Sequence, residues 1–355
     1  MRSLCALTLG AALVLPGCAL RVGPKMIPAD RFNYSAAISS SWQTQMLSNL
    51  VKIRYEDAPF FMDVAQVVTS YTWEATGTIA TPDWNSILKA PGAAASGRWA
   101  ESPTITMNPL TGDKFTRSLL QPVPPVSIFE MVQAGWPIDT VFALAVRSIN
   151  GLHALSHMQA LKRQADPEFY QLLTLMRDLQ ESDSISMRVI KGEKEEQPEI
   201  VFSAGAQDDE TKAKSRELRT MLGLDLEASE FKIAFGAVQF NDKEIALATR
   251  SILEIIGESA AGVEIPEADV KEGRATPSPD SQSVPGPFSL VRVHSGSGKP
   301  NDHEAAVSVL YRGHWFWVDD RDVPSKRGLT FLLMLATLAE SGTSITPPVL
   351  TISKP

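Results

Sequence analysis

Apolar residues crowd the start of the chain and then settle into two distinct periods. Leu4 to Leu15 is an apolar run broken only by Thr8 and Gly10, behind the positive charge of Arg2. A positive start, a short apolar stretch and small residues after it make a secretory signal. The run is too short for the ~20 apolar residues of a spanning helix. From Ala36 to Arg54 the residues Ile38, Trp42, Met46, Leu50 and Ile53 recur at three- and four-residue steps, which predicts a helix with one apolar face. Its other face, Ser39, Ser40, Gln43, Thr44 and Ser48, is polar but uncharged, so part of that side is expected to be covered as well. Phe60 to Trp73 is rich in Phe, Val, Thr and Tyr and predicts a strand. Ala75–Ala80 predicts a second, either paired back through Gly77 or continued past a bulge. Residues 81–103, with Pro82, Pro91, Pro103 and the small-residue run Gly92 to Gly97, read as a long loop.

The pattern continues with a strand over 104–107 and a helix over 113–120, stopped by Pro122, Pro124 and Pro125. Ser127 and Glu130 fit a capping box, and Gly135 closes the helix they open. Thr140 to Ile149 reads as a buried strand. Asp166-Pro167 opens a helix with Phe169, Leu172, Leu173, Met176 and Leu179 on its apolar face. Strands are expected over 186–190 and 199–202, a charged helix over 209–222, strands over 231–240 and 244–248, and a helix from Thr249. Helix–strand–strand therefore occurs twice, without matching residues, which is an arrangement and not an internal repeat. Pro277, Pro279, Pro285 and Pro287 mark 267–287 as an exposed loop. A strand over 288–293 follows, then a hairpin of 305–311 and 314–318 turned at Arg312-Gly313, a helix over 326–340 and a last strand over 349–353. Strand pairs separated by helices favour an α+β fold, with antiparallel or mixed sheets and helices packed on them, over a doubly wound sheet.

Leu15-Pro16-Gly17-Cys18 resembles the lipobox of bacterial lipoproteins, although Pro16 stands where Ala or Ser is usual. The resemblance implies cleavage before Cys18, a thioether-linked diacylglycerol on its sulfur, and acylation of the freed amine. One acyl chain binds a membrane marginally, whereas two or more anchor stably. Ala19, directly after the cysteine, resembles the pattern of lipoproteins sent to the outer membrane. The expected organisation is a signal peptide at 1–17, a lipidated tether at 18–32, an α+β region at 33–152 and a second at 153–355 that carries the 267–287 loop. The mature chain then has 355 − 17 = 338 residues, ample for a sizeable core. Net charge is −8, and loss of Arg2 makes it −9. With no basic cluster, the body is a poor nucleic-acid binder and does not adhere to anionic lipid by charge. Cys5 leaves with the signal and Cys18 is the lipidation site, so the body is expected to hold no disulfide and no cysteine nucleophile.

Candidate chemistry is sparse. His153 and His157 have metal-chelating spacing, but no third ligand is in view, and ordinary loop or helix histidines account for them. Asp319, Asp320 and Asp322 cluster after a strand without the Gly and closing Glu of a calcium loop, and read as a turn that caps the last helix. His294 to Lys299 superficially suggests a phosphate loop, but Val293 stands at the first Gly position and Pro300 at the Ser/Thr position. Ser325-Lys326 reads as a helix start and not as a catalytic dyad. Neither G-x-S-x-G nor H-E-x-x-H occurs. Trp315, Phe316 and Trp317 place aromatic groups on both faces of one strand, one face core and the other a partner patch or a surface under the Pro-rich loop.

The segments Tyr34–Ile38, Ser41-Trp42-Gln43-Thr44-Gln45, Asn49–Tyr55 and Pro59–Val64 resemble a family of uncharacterised bacterial envelope lipoproteins, as do Thr249-Arg250-Ser251 and Phe316–Lys326. The resemblance implies export and a lipid anchor, and it brings no catalytic residue, cofactor or metal. The expected function is that of a lipid-anchored binding or scaffolding component with an envelope protein partner. The alternatives are a hydrolase assembled from His157, His294 and Asp320, and a carrier of an apolar ligand.

Overall fold

The computed structural model describes residues 27–80, 92–156, 163–191, 196–203, 208–277, 291–301 and 303–340. Helix α1, Ile27–Arg54, is buried only along its second half, where Met46, Leu47, Leu50 and Val51 enter the core. Its first half, from Arg31 to Trp42, is mostly exposed and stands clear of the body. The chain then forms β1, Met62–Ala80, and β2, Gly92–Pro109, an antiparallel ribbon paired along its whole length with one bulge at Val64/Gln66.

A short helical segment follows, α over Gly112–Phe115 and π over Thr116–Leu120. Next come α2, Pro125–Gln133, and α3, Ile138–Ala145. Strands β3, Val146–Ile149, and β4, Leu152–His153, turn at Asn150-Gly151, where both residues have positive φ, the geometry of a tight type I′ turn. Helix α4, Pro167–Glu181, buries the predicted stripe, with Phe169, Leu172, Leu173 and Leu179 fully covered. Strands β5, Ile185–Lys191, and β6, Glu196–Phe202, helix α5, Asp209–Met221, strands β7, Glu230–Phe235, and β8, Glu244–Thr249, and helix α6, Ile252–Ser259, complete the two helix–strand–strand units. The six strands order as β4-β3-β8-β7-β6-β5, parallel between β7 and β8 and antiparallel elsewhere. This sheet draws strands from both sides of residue 152.

The C-terminal part holds α7, Glu267–Lys271, then β9, His294–Gly296, β10, Ala305–Tyr311, β11, His314–Asp319, and α8, Val323–Glu340. Strands β10-β11-β9 form a small antiparallel sheet, its hairpin turned at Arg312-Gly313 with positive φ at both positions. Buried side chains from Met46 to Leu335 form one core. The molecule is therefore α+β with mixed and antiparallel sheets. Arg250 is buried at the end of β8. Its guanidinium donates to the carbonyls of Ala143 and Leu144, acceptors that the end of α3 leaves open, and to that of Leu155.

Several expected elements differ. Residues 140–149 are helix α3 followed by a short strand, because a run buried on every side has no period to separate the two forms. Helix α2 starts behind Pro124, two residues ahead of the predicted box, and no side chain caps it. The strand expected to end at Phe240 ends at Phe235, and Phe240 is 90% exposed. The expected loop 81–103 holds most of β2, whose Gly and Ala residues acquire strand form by pairing with β1. The tether contains the first turn of α1. The loop 267–287 opens with α7, where Asp269 is buried. The signal segment, Cys18, His157 and the strand expected over 349–353 lie outside the described residues.

Candidate interaction site: a two-stranded arm and its root

Gln45 and Asn49 lie one helical turn apart on α1, and each clasps a strand residue with both ends of its amide. Asn49 donates to the carbonyl of Phe60 at 2.9 Å and accepts from its N–H at 2.9 Å. Gln45 donates to the carbonyl of Met62 at 3.2 Å and accepts from its N–H at 2.8 Å. The match is metric: four helical residues rise ~6 Å and two strand residues ~6.7 Å. The side chains thus act as a strand edge for residues 60–62. On the other side, Phe61 accepts from the N–H of Leu110 at 3.0 Å, closing the base of the ribbon. The pairs 49 with 60 and 45 with 62 run antiparallel, so the arm leaves its root heading toward the N-terminal end of α1.

The helix end beneath the root is clamped to the C-terminal part. Arg54 donates to the Thr276 hydroxyl and carbonyl at 2.8 and 2.7 Å. The Tyr55 hydroxyl donates to Asp269 at 2.5 Å, and Tyr311 donates to Asp57. Arg312 also donates to Asp57, at 2.8 Å, and lies over the rings of Tyr55 and Tyr311. Burial, with the Asp269 bond added, pushes the Tyr55 phenol well above its usual range. The Tyr311 hydroxyl, helped by Arg312, holds the Asp57 carboxyl below the usual carboxylate range. Four polar groups from three distant segments thus fix the direction of α1, and through it that of the arm.

Among the described strands, β1 and β2 pair only with each other, as a two-stranded sheet. Its register runs from Met62 opposite Pro109 to Ala80 opposite Gly92. Near the base Ile105 and Met107 are 47% and 46% exposed, and Thr104 and Thr106 on the other face are exposed too.

The residues singled out from the sequence do not assemble. The His153 ring lies 3.4 Å from Asp166, whose carboxylate also accepts the His153 backbone N–H at 2.7 Å. His294 pairs with Glu264 at 3.1 Å and lies beside Trp317, whereas Asp320 pairs with Lys326 at 2.9 Å. His294 and Asp320, the described members of the alternative hydrolase site, are thus each engaged with other partners. Asp319 accepts from the N–H of Arg321, and Asp322 caps α8 by accepting from the Ser325 N–H and hydroxyl. Ser325 and Lys326 therefore point to different carboxylates and make no dyad. Among the described residues no three His, Cys, Asp or Glu groups lie close enough to hold a metal ion. Phe316 is fully buried while Trp315 and Trp317 are half-buried, so Phe316 belongs to the core and not to a partner patch. The apolar cavity between Phe142, Met176, Phe202 and Leu247 holds only about 10 Å³. A carrier pocket needs ~300 Å³ or more.

Gln45, Asn49 and the pairing of β2 were not singled out from the sequence. Neither Gln45 nor Asn49 belongs to the uncharged helix face expected to be covered; the signal for β2 was the alternation Thr104-Ile105-Thr106-Met107. No described helix is long and apolar enough to cross a membrane. No family model, curated protein or solved structure matches this chain.

Proposed function

We propose that this chain is a lipid-anchored protein of the bacterial cell envelope, held at the outer membrane through Cys18 and facing the periplasm, that works as a binding or scaffolding component through its two-stranded arm. The observation that carries the binding role is the arm: a long ribbon whose strands, among those described, pair only with each other, with an exposed apolar base at Ile105 and Met107. Lone two-stranded ribbons are marginal in water, and open edges are templates for further strands. The elaborate clamp at the root supports the same role, because it gives the arm a set direction. The lipobox-like segment Leu15–Cys18 supports the anchor, and an acidic body without a basic patch leaves the anchor as the means of attachment.

Two measurements test this. Replacing Cys18→Ser and fractionating cells is expected to move the protein from the membrane to the soluble periplasmic fraction; undiminished membrane association contradicts the anchor. A photoreactive residue in place of Met107, activated in intact cells, is expected to give adducts of defined mass. A chain that stays uncrosslinked there contradicts the binding role of the arm.

A further inference from the structure

We infer that a second contact surface, independent of the arm, lies where β7 crosses over into β8, and that it takes a basic protein chain with an apolar pocket rimmed by Lys or Arg. Phe235, Val238 and Phe240 are 64%, 80% and 90% exposed there, and Leu226 on the neighbouring turn is 40% exposed. One exposed apolar residue needs no explanation, whereas a cluster of them marks a contact site. The end of β7 shows why these groups are not core. Phe231, Ile233 and Phe235 alternate on one face of the strand. Phe231 is fully buried, and Ile233 is half-buried and lines the same small cavity as Leu218 and Leu222 at the end of α5. The cover over that face thus gives out before Phe235.

The patch is fixed in place by its own hydrogen bonds. Gln239 donates to the carbonyl of Gly223 at 3.3 Å, and the Asp225 N–H donates to the carbonyl of Asp242 at 2.9 Å, so the turn at 223–227 is tied to the crossover at 236–243. At the two ends of the crossover, the Gly236 N–H donates to the Leu247 carbonyl at 3.1 Å and Glu244 accepts the Phe240 N–H at 3.3 Å. Arg219 holds the Leu226 carbonyl at 2.6 Å. A backbone ordered before contact loses little conformational freedom on binding, and buried aromatic anchors carry much of the energy of a contact.

Charge selects the occupant. Asp225, Glu227, Asp242 and Glu244 stand beside the apolar groups in the same two turns. Lys243 lies 4.0 Å from Asp225, and Arg219 is turned onto the carbonyls of Leu226 and Ala228 and over the Phe202 ring. Lys232 neighbours Glu244 in the strand register. Among the described residues no cation pairs with Glu227, Asp242 or Glu244, so the rim is acidic, on a chain whose net charge is −8. Such a rim repels anionic lipid and nucleic acid. A second copy docked across a two-fold axis sets the same carboxylates against one another, and like charges across a contact are costly. The chain has no basic cluster to receive the patch head to tail. A different chain with Lys or Arg around an apolar pocket matches both features: its charges speed the encounter and its pocket retains the phenyl rings.

The test places a photoreactive residue at Val238 in the full chain and activates it in intact cells. The expected product is an adduct with one different chain, whose crosslinked peptide carries Lys or Arg beside apolar residues. Phe240→Ser is expected to lower its yield about tenfold. The same substitution is expected to leave the urea midpoint unchanged, because the ring is 90% exposed, so the loss reports contact and not folding. The adduct is expected to persist when residues 65–106 are replaced by a turn, which separates this surface from the arm. With the captured chain purified, Glu227→Lys combined with Asp242→Lys is expected to slow association about tenfold and to weaken its dependence on salt. No adduct, an adduct of twice this chain's mass, an adduct with lipid, or a yield unchanged by Phe240→Ser overturns the proposal. Loss of the adduct with the arm overturns its independence, and association indifferent to the charge reversal overturns the basic partner.

Discussion

Asn49 is buried to 1% exposure, and its amide satisfies both backbone groups of Phe60. Asn49→Ala strands that donor and acceptor at a covered root, which costs ~2 kcal/mol; urea unfolding of the full chain is expected to register the loss. Asn49→Asp sets a buried carboxylate oxygen against the Phe60 carbonyl, so at neutral pH its cost is expected to be at least that of Asn49→Ala and to shrink as the carboxyl protonates into a donor at lower pH. The clamp below the root is sensitive to pH at both ends. The carboxyl of Asp57 is depressed in the folded state, so its contribution is present above about pH 4, the unfolded value, and is lost as pH falls through the lower folded value. The Tyr55 phenol is raised by burial, so its contribution is present below about pH 10 and is lost as pH rises through the higher folded value. Asp57→Asn is expected to flatten the acid limb of the urea-midpoint profile and Tyr55→Phe the alkaline limb. An acid limb unchanged in Asp57→Asn, or an alkaline limb unchanged in Tyr55→Phe, contradicts these assignments.

At the scale of elements, the arm contributes little to the body. Phe61 and Leu110 at its base belong to the core, while the ribbon between them is a separate sheet. Replacing residues 65–106 with a short turn is therefore expected to leave the unfolding midpoint of the body within experimental error of wild type. A large drop means that the ribbon packs on the body. The same contrast explains what was legible in the sequence. The stripe of α4 and the Arg312-Gly313 turn carry strong local signals, a 3.6-residue period and a turn pair, and both form as expected. Helix α3 does not announce itself, since Val141 to Val146 is buried all round. Strand β2 is hidden by Gly92–Gly97, residues that pair through register and not through strand preference. The root was invisible for a different reason: an amide clasping the backbone at the start of the next element leaves no periodic trace. Single polar residues such as Gln45 and Asn49 gain meaning only when the partner strand is in place.

For the whole molecule, one core joins the six-stranded sheet, its helices and the second half of α1, while the ribbon is a separate sheet rooted on that helix. The proposed anchor rests on the sequence alone, on one apolar run and Cys18, whereas the arm became visible only through the strand register. The most direct measurement of the central claim is crosslinking in intact cells, comparing the wild-type chain with the chain in which residues 65–106 are replaced by a turn. The account predicts adducts of defined mass with the wild-type chain and their loss when the arm is replaced. No adduct with the wild-type chain, or the same adducts with both, contradicts it.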